Sequence, residues 1–421
     1  MMKQIPLTKR MIEALAALGI AILIIALIDR LTNRLDMLEG HIWDFVYYID
    51  MAENGIWGND HLASPYAYRA MTPLLARAIN LTFDLPTIVG FKVIAYVGVW
   101  MELFGVYLLA RHFKTNFKIA VVVMLVPAFA LFNTKFLLFD FYRPDQLGYA
   151  FLVFAFLALL KRRRGLSLLI SLIGLNTREF LVIPPLILIL EILREWRNQK
   201  TSLTKPLLQV FGILALVGFT LMLPRLIIPV KFTQQIVDPF NDPNFFNRLV
   251  GLLTDLRRNF NYLFNLAAYG LPLWMLATRE RLQYAWKKLL PFHPWLYLYA
   301  GVTLTGMMIG GTDMMRYVTY FFIPQILLLI SILRDCPVRD IELFVMFAAV
   351  ILFNRILFPF PIWDFSEYVN FYGGYGDWVN ARSWLRLAEL GAFVGIGWLV
   401  RGWLKESRLG EWLNFWIRIE E

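Results

Sequence analysis

Residues 41–79, HIWDFVYYIDMAENGIWGNDHLASPYAYRAMTPLLARAI, form a polar and aromatic island directly after the first apolar run of the chain. Asp44 and Asp50 lie there among Trp43, Tyr47, Tyr48 and Trp57, and the island carries Tyr66, Tyr68 and Arg69 shortly before Pro73. Carboxylates, flat rings and a guanidinium together suit a hydroxylated, phosphate-bearing substrate: rings cover its apolar faces, and arginine holds phosphate with two hydrogen bonds. Asp44, with a bulky ring on either side, is the candidate general base, because partial desolvation strengthens a carboxylate as a base. An aspartate here also suits the cap of a helix starting near Phe45. Asp50 comes six residues later, about 120° from Asp44 around a helix, and takes second place. Tyr47, Tyr48, Tyr68, Arg69 and Asp50 are the candidate substrate-binding residues of the island.

Three further constellations carry charge beside aromatic or small residues. Asp140-Phe-Tyr-Arg143-Pro-Asp145 reads either as a local ion-pair network or, through Arg143, as a phosphate contact. Asn176-Thr-Arg178-Glu179 is a turn whose two charges either pair with one another or face a cavity. Gly310-Gly-Thr-Asp313-Met-Met-Arg316-Tyr317 is a short turn before a helix. Its glycines let the backbone approach a ligand, and Arg316 is placed to grip a phosphate. Asp313 and Tyr317 would contact substrate there, against the alternative of an Asp313–Arg316 surface pair. His41, His61, His112 and His293 are dispersed and form no metal-ligand set, and no phosphate-binding glycine loop or serine or cysteine nucleophile motif is found.

The elements that must position these residues are apolar helices. Of the 421 residues, 59% are hydrophobic and 17% charged, a balance that excludes an ordinary soluble enzyme. Apolar runs near 11–29, 87–110, 119–134, 146–160, 165–176, 180–193, 206–224, 262–277, 289–309, 317–333, 340–357 and 384–403 predict an all-α polytopic membrane protein with about 12 spanning helices. Residues 1–421 read as a single integral-membrane domain, with the first run kept as a helix. The net charge of +10 resides in every second connection: Arg111 with Lys114 and Lys118, Lys161 to Arg164, Arg194 to Lys205, and Arg279 to Lys288. The positive-inside rule then puts both termini in the cytoplasm, explains the charge without nucleic acid, and assigns 30–86, 135–145, 225–261, 310–316 and 358–383 to the outer face. Interfacial helices are expected in the first outer loop and, with Arg248, Arg257 and Arg258, in the 225–261 loop. The single cysteine, Cys336, falls on the inner side and has no assigned chemistry. Residues 165–193 must go out and back with about 14 residues per arm, too few to span, so the turn at Arg178 and Glu179 is expected below the outer surface.

Taken in order, the Asp44 loop with its AENGIWG and YRAMTPLLA segments, the KRRRG-to-NTREFLVIPPLILIL hairpin and the GTDMMRY turn resemble the C-type (GT-C) fold of membrane glycosyltransferases. They are most similar to the polyprenol-phosphate-mannose-dependent mannosyltransferases. The chain departs from the paired carboxylates of protein O-mannosyltransferases and oligosaccharyltransferases, so a single-aspartate, metal-independent enzyme without cofactors is the closer analogue. The resemblance implies a polyprenyl-phosphate-linked sugar as donor, and a glycan, lipid or protein hydroxyl as acceptor. It also implies an inverting single displacement at the outer, periplasmic face of the plasma (inner) membrane. Asp44 would take the acceptor proton, and Arg316, with Arg178 or Arg143, would stabilise the departing phosphate. A transporter or flippase of lipid-linked saccharides, and a polymerase or ligase of lipid-linked glycans, are the alternatives. A transporter would place ionisable groups near the middle of the bilayer, whereas these crowd toward one face.

Overall fold

The computed structural model describes residues 7–32, 45–199, 202–230, 232–233, 250, 254, 256–309, 318–357 and 387–400. Helices dominate them. The N-terminal part holds α1 (Leu7–Arg30), α2 (Phe45–Asn54), a two-residue strand β1 (Ala63–Ser64), a 3₁₀ turn at Tyr66–Tyr68, α3 (Met71–Phe83), α4 (Thr87–His112) and α5 (Phe117–Ala128). A π-helical turn, Leu131–Lys135, leads through α6 (Phe136–Phe139) to α7 (Asp145–Leu160) and the short α8 (Arg164–Gly174). A 3₁₀ turn at Glu179–Val182 opens into α9 (Ile183–Gln199). There follow α10 (Thr204–Ile227), β2 (Phe232–Thr233), α11 (Leu256–Leu276), α12 (Arg279–Lys288), α13 (His293–Ile309), α14 (Phe322–Asp335), α15 (Asp340–Phe353) and α16 (Leu387–Val400). β1 and β2 make one parallel contact, Ala63 with Phe232 and Ser64 with Thr233.

Each of the twelve apolar runs is helical over much of its described length. Among the described residues three helices, α1, α4 and α10, are long and apolar enough to cross a membrane, and α5 with residues 133–139, bent by 50° at the break, passes the same test only when the two are taken together. Pro127 near the end of α5 accounts for the break, since proline removes a helical donor and crowds the preceding turn. α2 and α3 are the helices expected in the first loop. Arg257 and Arg258 are not in a separate surface helix: they occupy the first turn of the 21-residue α11, and Arg248 lies outside the described residues.

Contacts between distant segments give the helices alternating directions. At one end, Arg111 at the close of α4 pairs with Glu13 of α1 (2.6 Å), Lys118 with Asp340 (2.6 Å), Arg162 with Glu191 (2.9 Å) and Arg281 with Glu342 (2.7 Å). Arg334 at the close of α14 donates to the Phe113 carbonyl at 3.0 Å. The basic connections of the sequence therefore gather at this basic end. The opposite end collects the 45–86 loop, the start of α7, the α8–α9 turn and residues 318–321. α4 and α7 run in the same sense. A Cβ on Gly98 would meet the Gln146 Cβ at 2.8 Å, and one on Gly105 the Val153 Cγ1 at 2.8 Å, so two glycines seven residues apart let these backbones approach. α4 is largely buried among its neighbours, while α1 and α10 turn Leu15, Leu23, Leu208, Phe211 and Leu226 outward, as an apolar solvent permits.

Gly98→Ala should force α4 and α7 apart and cost about 1–3 kcal/mol. A lower thermal midpoint in detergent checks this, with Gly19→Ala, which meets nothing within 4 Å, as the unaffected control.

Candidate functional site

Asp145 opens α7, where a carboxylate is favoured by the exposed amides and the helix dipole, yet it is only 1% accessible. One oxygen accepts from the Arg178 guanidinium and the other from the Tyr320 hydroxyl at 3.0 Å. Arg178 comes from the extended residue between the two hairpin helices and is buried as well. Gly148 makes the crossing possible: a Cβ there would lie 3.1 Å from both the Arg178 Cγ and the Tyr320 hydroxyl. The Tyr320 ring is sandwiched between Phe180 (4.4 Å, 9°) and Tyr149 (4.5 Å, 27°), and the Tyr149 hydroxyl bonds Thr319. The Tyr299 hydroxyl donates to the Tyr320 carbonyl at 2.5 Å, fixing the stretch that leads into α14.

The first loop closes on this cluster through a second pair. Arg69 donates from Nε and from a terminal nitrogen to the two oxygens of Glu179, at 3.1 and 3.3 Å, and the Met71 amide donates to the Asn176 carbonyl at 3.3 Å. Partial burial would raise the Glu179 carboxyl, but the guanidinium groups of Arg69 and Arg178 outweigh it and hold it below the ordinary glutamate value. Tyr47 stacks on Tyr66 (4.9 Å, 6°), the buried Tyr48 meets the same ring edge-on at 5.9 Å, and the Arg225 guanidinium lies 4.7 Å over the Tyr68 ring. Phe45, first residue of α2, stacks on Tyr142 at 5.5 Å, beside the buried Arg143–Asp140 pair.

The expected site residues thus divide. Tyr47, Tyr48, Tyr68, Arg69, Arg143, Arg178 and Glu179 come to the same end of the helical body. Arg178 and Glu179 do not pair with each other: backbone extension at Arg178 sends the two side chains to different partners, Asp145 and Arg69. The Asp140–Arg143–Asp145 network is also split, since Arg143 takes Asp140 while Asp145 serves Arg178 and Tyr320. Asp50 accepts from Asn54 at 2.7 Å and Asn59 at 2.6 Å, closing the turn after α2. α2 runs over Phe45–Asn54, the first described residues of this loop. Asp44, Asp313, Arg316 and Tyr317 lie outside the described residues.

Sequence reasoning passed over Glu102. It is the only charged residue between Lys92 and Arg111, sits within α4, and is fully buried. A lone carboxylate in an apolar run was the signal for it. Asn133 donates to its Oε1 at 2.9 Å. Among the described residues no group of three or more histidine, cysteine or acidic side chains could hold a metal. Burial pushes the Cys336 thiol up, against a nucleophilic role. No protein-family model matches the chain, and neither curated proteins nor solved structures provide a similar one.

Asp145→Asn should destabilise the protein by about 3–5 kcal/mol, because it leaves the Arg178 charge buried without a counter-ion. Glu179→Gln should cost at most about 1 kcal/mol, its side chain being 42% exposed. Thermal unfolding of both variants in the same detergent measures the contrast.

Proposed function

We propose that the chain is a multi-pass membrane glycosyltransferase that moves a sugar from a polyprenyl-phosphate carrier to an acceptor hydroxyl at the face opposite its basic connections. The observation that carries this reading is the convergence of the first loop, the α8–α9 turn and residues 318–320 on one cluster of arginine, carboxylate and tyrosine groups, bound by Arg69–Glu179 and Asp145–Arg178–Tyr320. About twelve spans with cytoplasmic termini, and a site at the outer face of the inner membrane, complete the proposal. Tyr47, Tyr48, Tyr68 and Tyr317 would line the sugar, and the apolar flanks of the helices would take the isoprenoid tail from the side.

In the proposed reaction Asp44 accepts the proton of the acceptor hydroxyl as its oxygen attacks the anomeric carbon. The bond from that carbon to the phosphate oxygen breaks, and the phosphate leaves with the electron pair. Phosphate is already a good leaving group, so one carboxylate suffices, unlike the two that glycoside hydrolysis uses. Arg316 is the proposed phosphate clamp. Arg178, already committed to Asp145 at one terminal nitrogen, has a buried Nε with no partner and adds a donor, and Arg143 adds positive potential from its pair with Asp140. Neither a metal nor another cofactor is part of this mechanism.

A second reading has one specific observation in its favour. Glu102 is an ionisable group within the body of the helices, where a transporter of lipid-linked saccharides would place one.

With a polyprenyl-phosphate sugar and its acceptor, Asp44→Asn should lower turnover about 10²–10⁴-fold without altering the thermal midpoint; full activity would refute the base assignment. Arg316→Ala should weaken donor binding far more than acceptor binding, and equal losses would make Arg316 structural. Donor analogue moved across a vesicle bilayer without release of polyprenyl phosphate would favour the transporter.

A further inference from the structure

Below the Asp145 cluster, the Tyr149–Thr319 hydrogen bond carries polar groups toward Glu102, and the buried Tyr269 hydroxyl, which has no partner, lies within electrostatic range of both Tyr149 and Glu102. Glu102 itself is unusual. Its carboxylate is completely buried, its Oε2 has no partner, and among the described residues no lysine or arginine reaches it. An uncompensated carboxylate in such surroundings is costly, so a positive charge must reside with it.

Asn133 indicates where that charge sits. Its Nδ2 is used twice, toward Glu102 Oε1 at 2.9 Å and the Pro127 carbonyl at 3.3 Å. Both acceptors demand the nitrogen, which fixes the amide orientation and leaves Oδ1 an acceptor without a donor. Asn133 also lies in the π-helical turn of the broken α5–α6 segment, next to Thr134, whose hydroxyl donates to the Pro127 carbonyl at 3.2 Å. Helix breaks that present side-chain and carbonyl oxygens inside a membrane protein are a recurrent way of holding small cations. A water molecule could satisfy the two oxygens but would leave the charge uncompensated. One carboxylate among neutral oxygens matches a single positive charge rather than a divalent ion.

We propose that Glu102 Oε2 and Asn133 Oδ1 form a binding site for one monovalent cation within the helical body, either a proton or an alkali-metal ion. Tyr149 of α7 and Tyr269 of α11 lie within electrostatic range of Glu102. The buried residues of α1 and α5, Ala17 to Ile28 and Ala120 to Ala128, are apolar, and Lys135, two residues beyond Asn133, donates instead to the carbonyls of Arg355 and Ile356 at 3.1 and 3.0 Å. The site does not depend on the transferase reading.

The test is the thermal midpoint of the full-length protein in detergent, titrated with NaCl or KCl against choline chloride at constant ionic strength, at several pH values. An alkali-metal ion predicts a saturable rise with sodium or potassium but not choline. A proton predicts a rise on acidification in choline with no response to the metals. In either case Glu102→Gln, a neutral isostere, should abolish the response and melt at least as high as the wild type does in choline, and Asn133→Ala should raise the half-saturating concentration about tenfold or shift the acid response, equivalent to about 1.4 kcal/mol. If Glu102→Gln does not fold, the Asn133→Ala titration decides alone. Ion and pH responses that neither variant changes, or no response in the wild type, would overturn the proposal.

Discussion

The ion pair between Asp145 and Arg178 is the constraint on which the functional end of the molecule depends. Both side chains are removed from solvent, so each would be unstable without the other, and the pair can form only if the hairpin turn is drawn against the first turn of α7. That requirement orders its surroundings. Tyr320 also donates to Asp145 and so anchors residues 318–321, while Glu179, released from its neighbour Arg178, takes Arg69 and draws down the first loop. Three segments remote in sequence are held together by one buried carboxylate, with the more exposed Arg69–Glu179 pair adding orientation more than stability.

The two ends of the helical body use charge differently. At the basic end, ion pairs such as Lys118–Asp340 and Arg162–Glu191 join the ends of helices and have at least one partly exposed partner. At the other end the pairs sink inward: Arg143–Asp140 and Arg178–Asp145 are both buried, and aromatic rings are stacked around them. Where a partner reaches solvent no cavity is needed, although Arg281–Glu342 at the first end is also largely enclosed. Charges on the second are tolerable only where partners were built in advance, which is the arrangement expected of a surface that must receive a charged ligand with little reorganisation.

Between these ends the polar groups continue inward through Tyr149, Thr319 and Tyr269 toward Glu102 and the break after Pro127. This inner group changes the weight of the functional alternatives. Charge crowded at one face spoke for surface chemistry alone, but a carboxylate enclosed among apolar helices adds a group that can exchange a cation, and a transferase and a transporter would use such a group differently.

Much of the architecture was legible in the sequence, because apolar run length and the placement of lysine and arginine are local properties. Residues 165–193 do form a short hairpin with Arg178 buried at its turn, and the island at 45–79 did yield helices and stacked tyrosines at the end away from the basic connections. Pairing was not legible. Which carboxylate Arg178 takes depends on a backbone extended at one residue and on Gly148 giving it room to cross α7, and a sequence read locally offers only the adjacent Glu179 or an unnamed cavity. Glu102 was visible as a lone charge in an apolar run, but its enclosure beside Asn133 was not, since that arises from a helix break 31 residues further on. The sequence by itself determined the helices, their order and the segregation of basic connections, through periodicity and composition. Only the tertiary structure decided which charges meet, because ion pairing inside an apolar body follows from distances between segments that lie far apart along the chain.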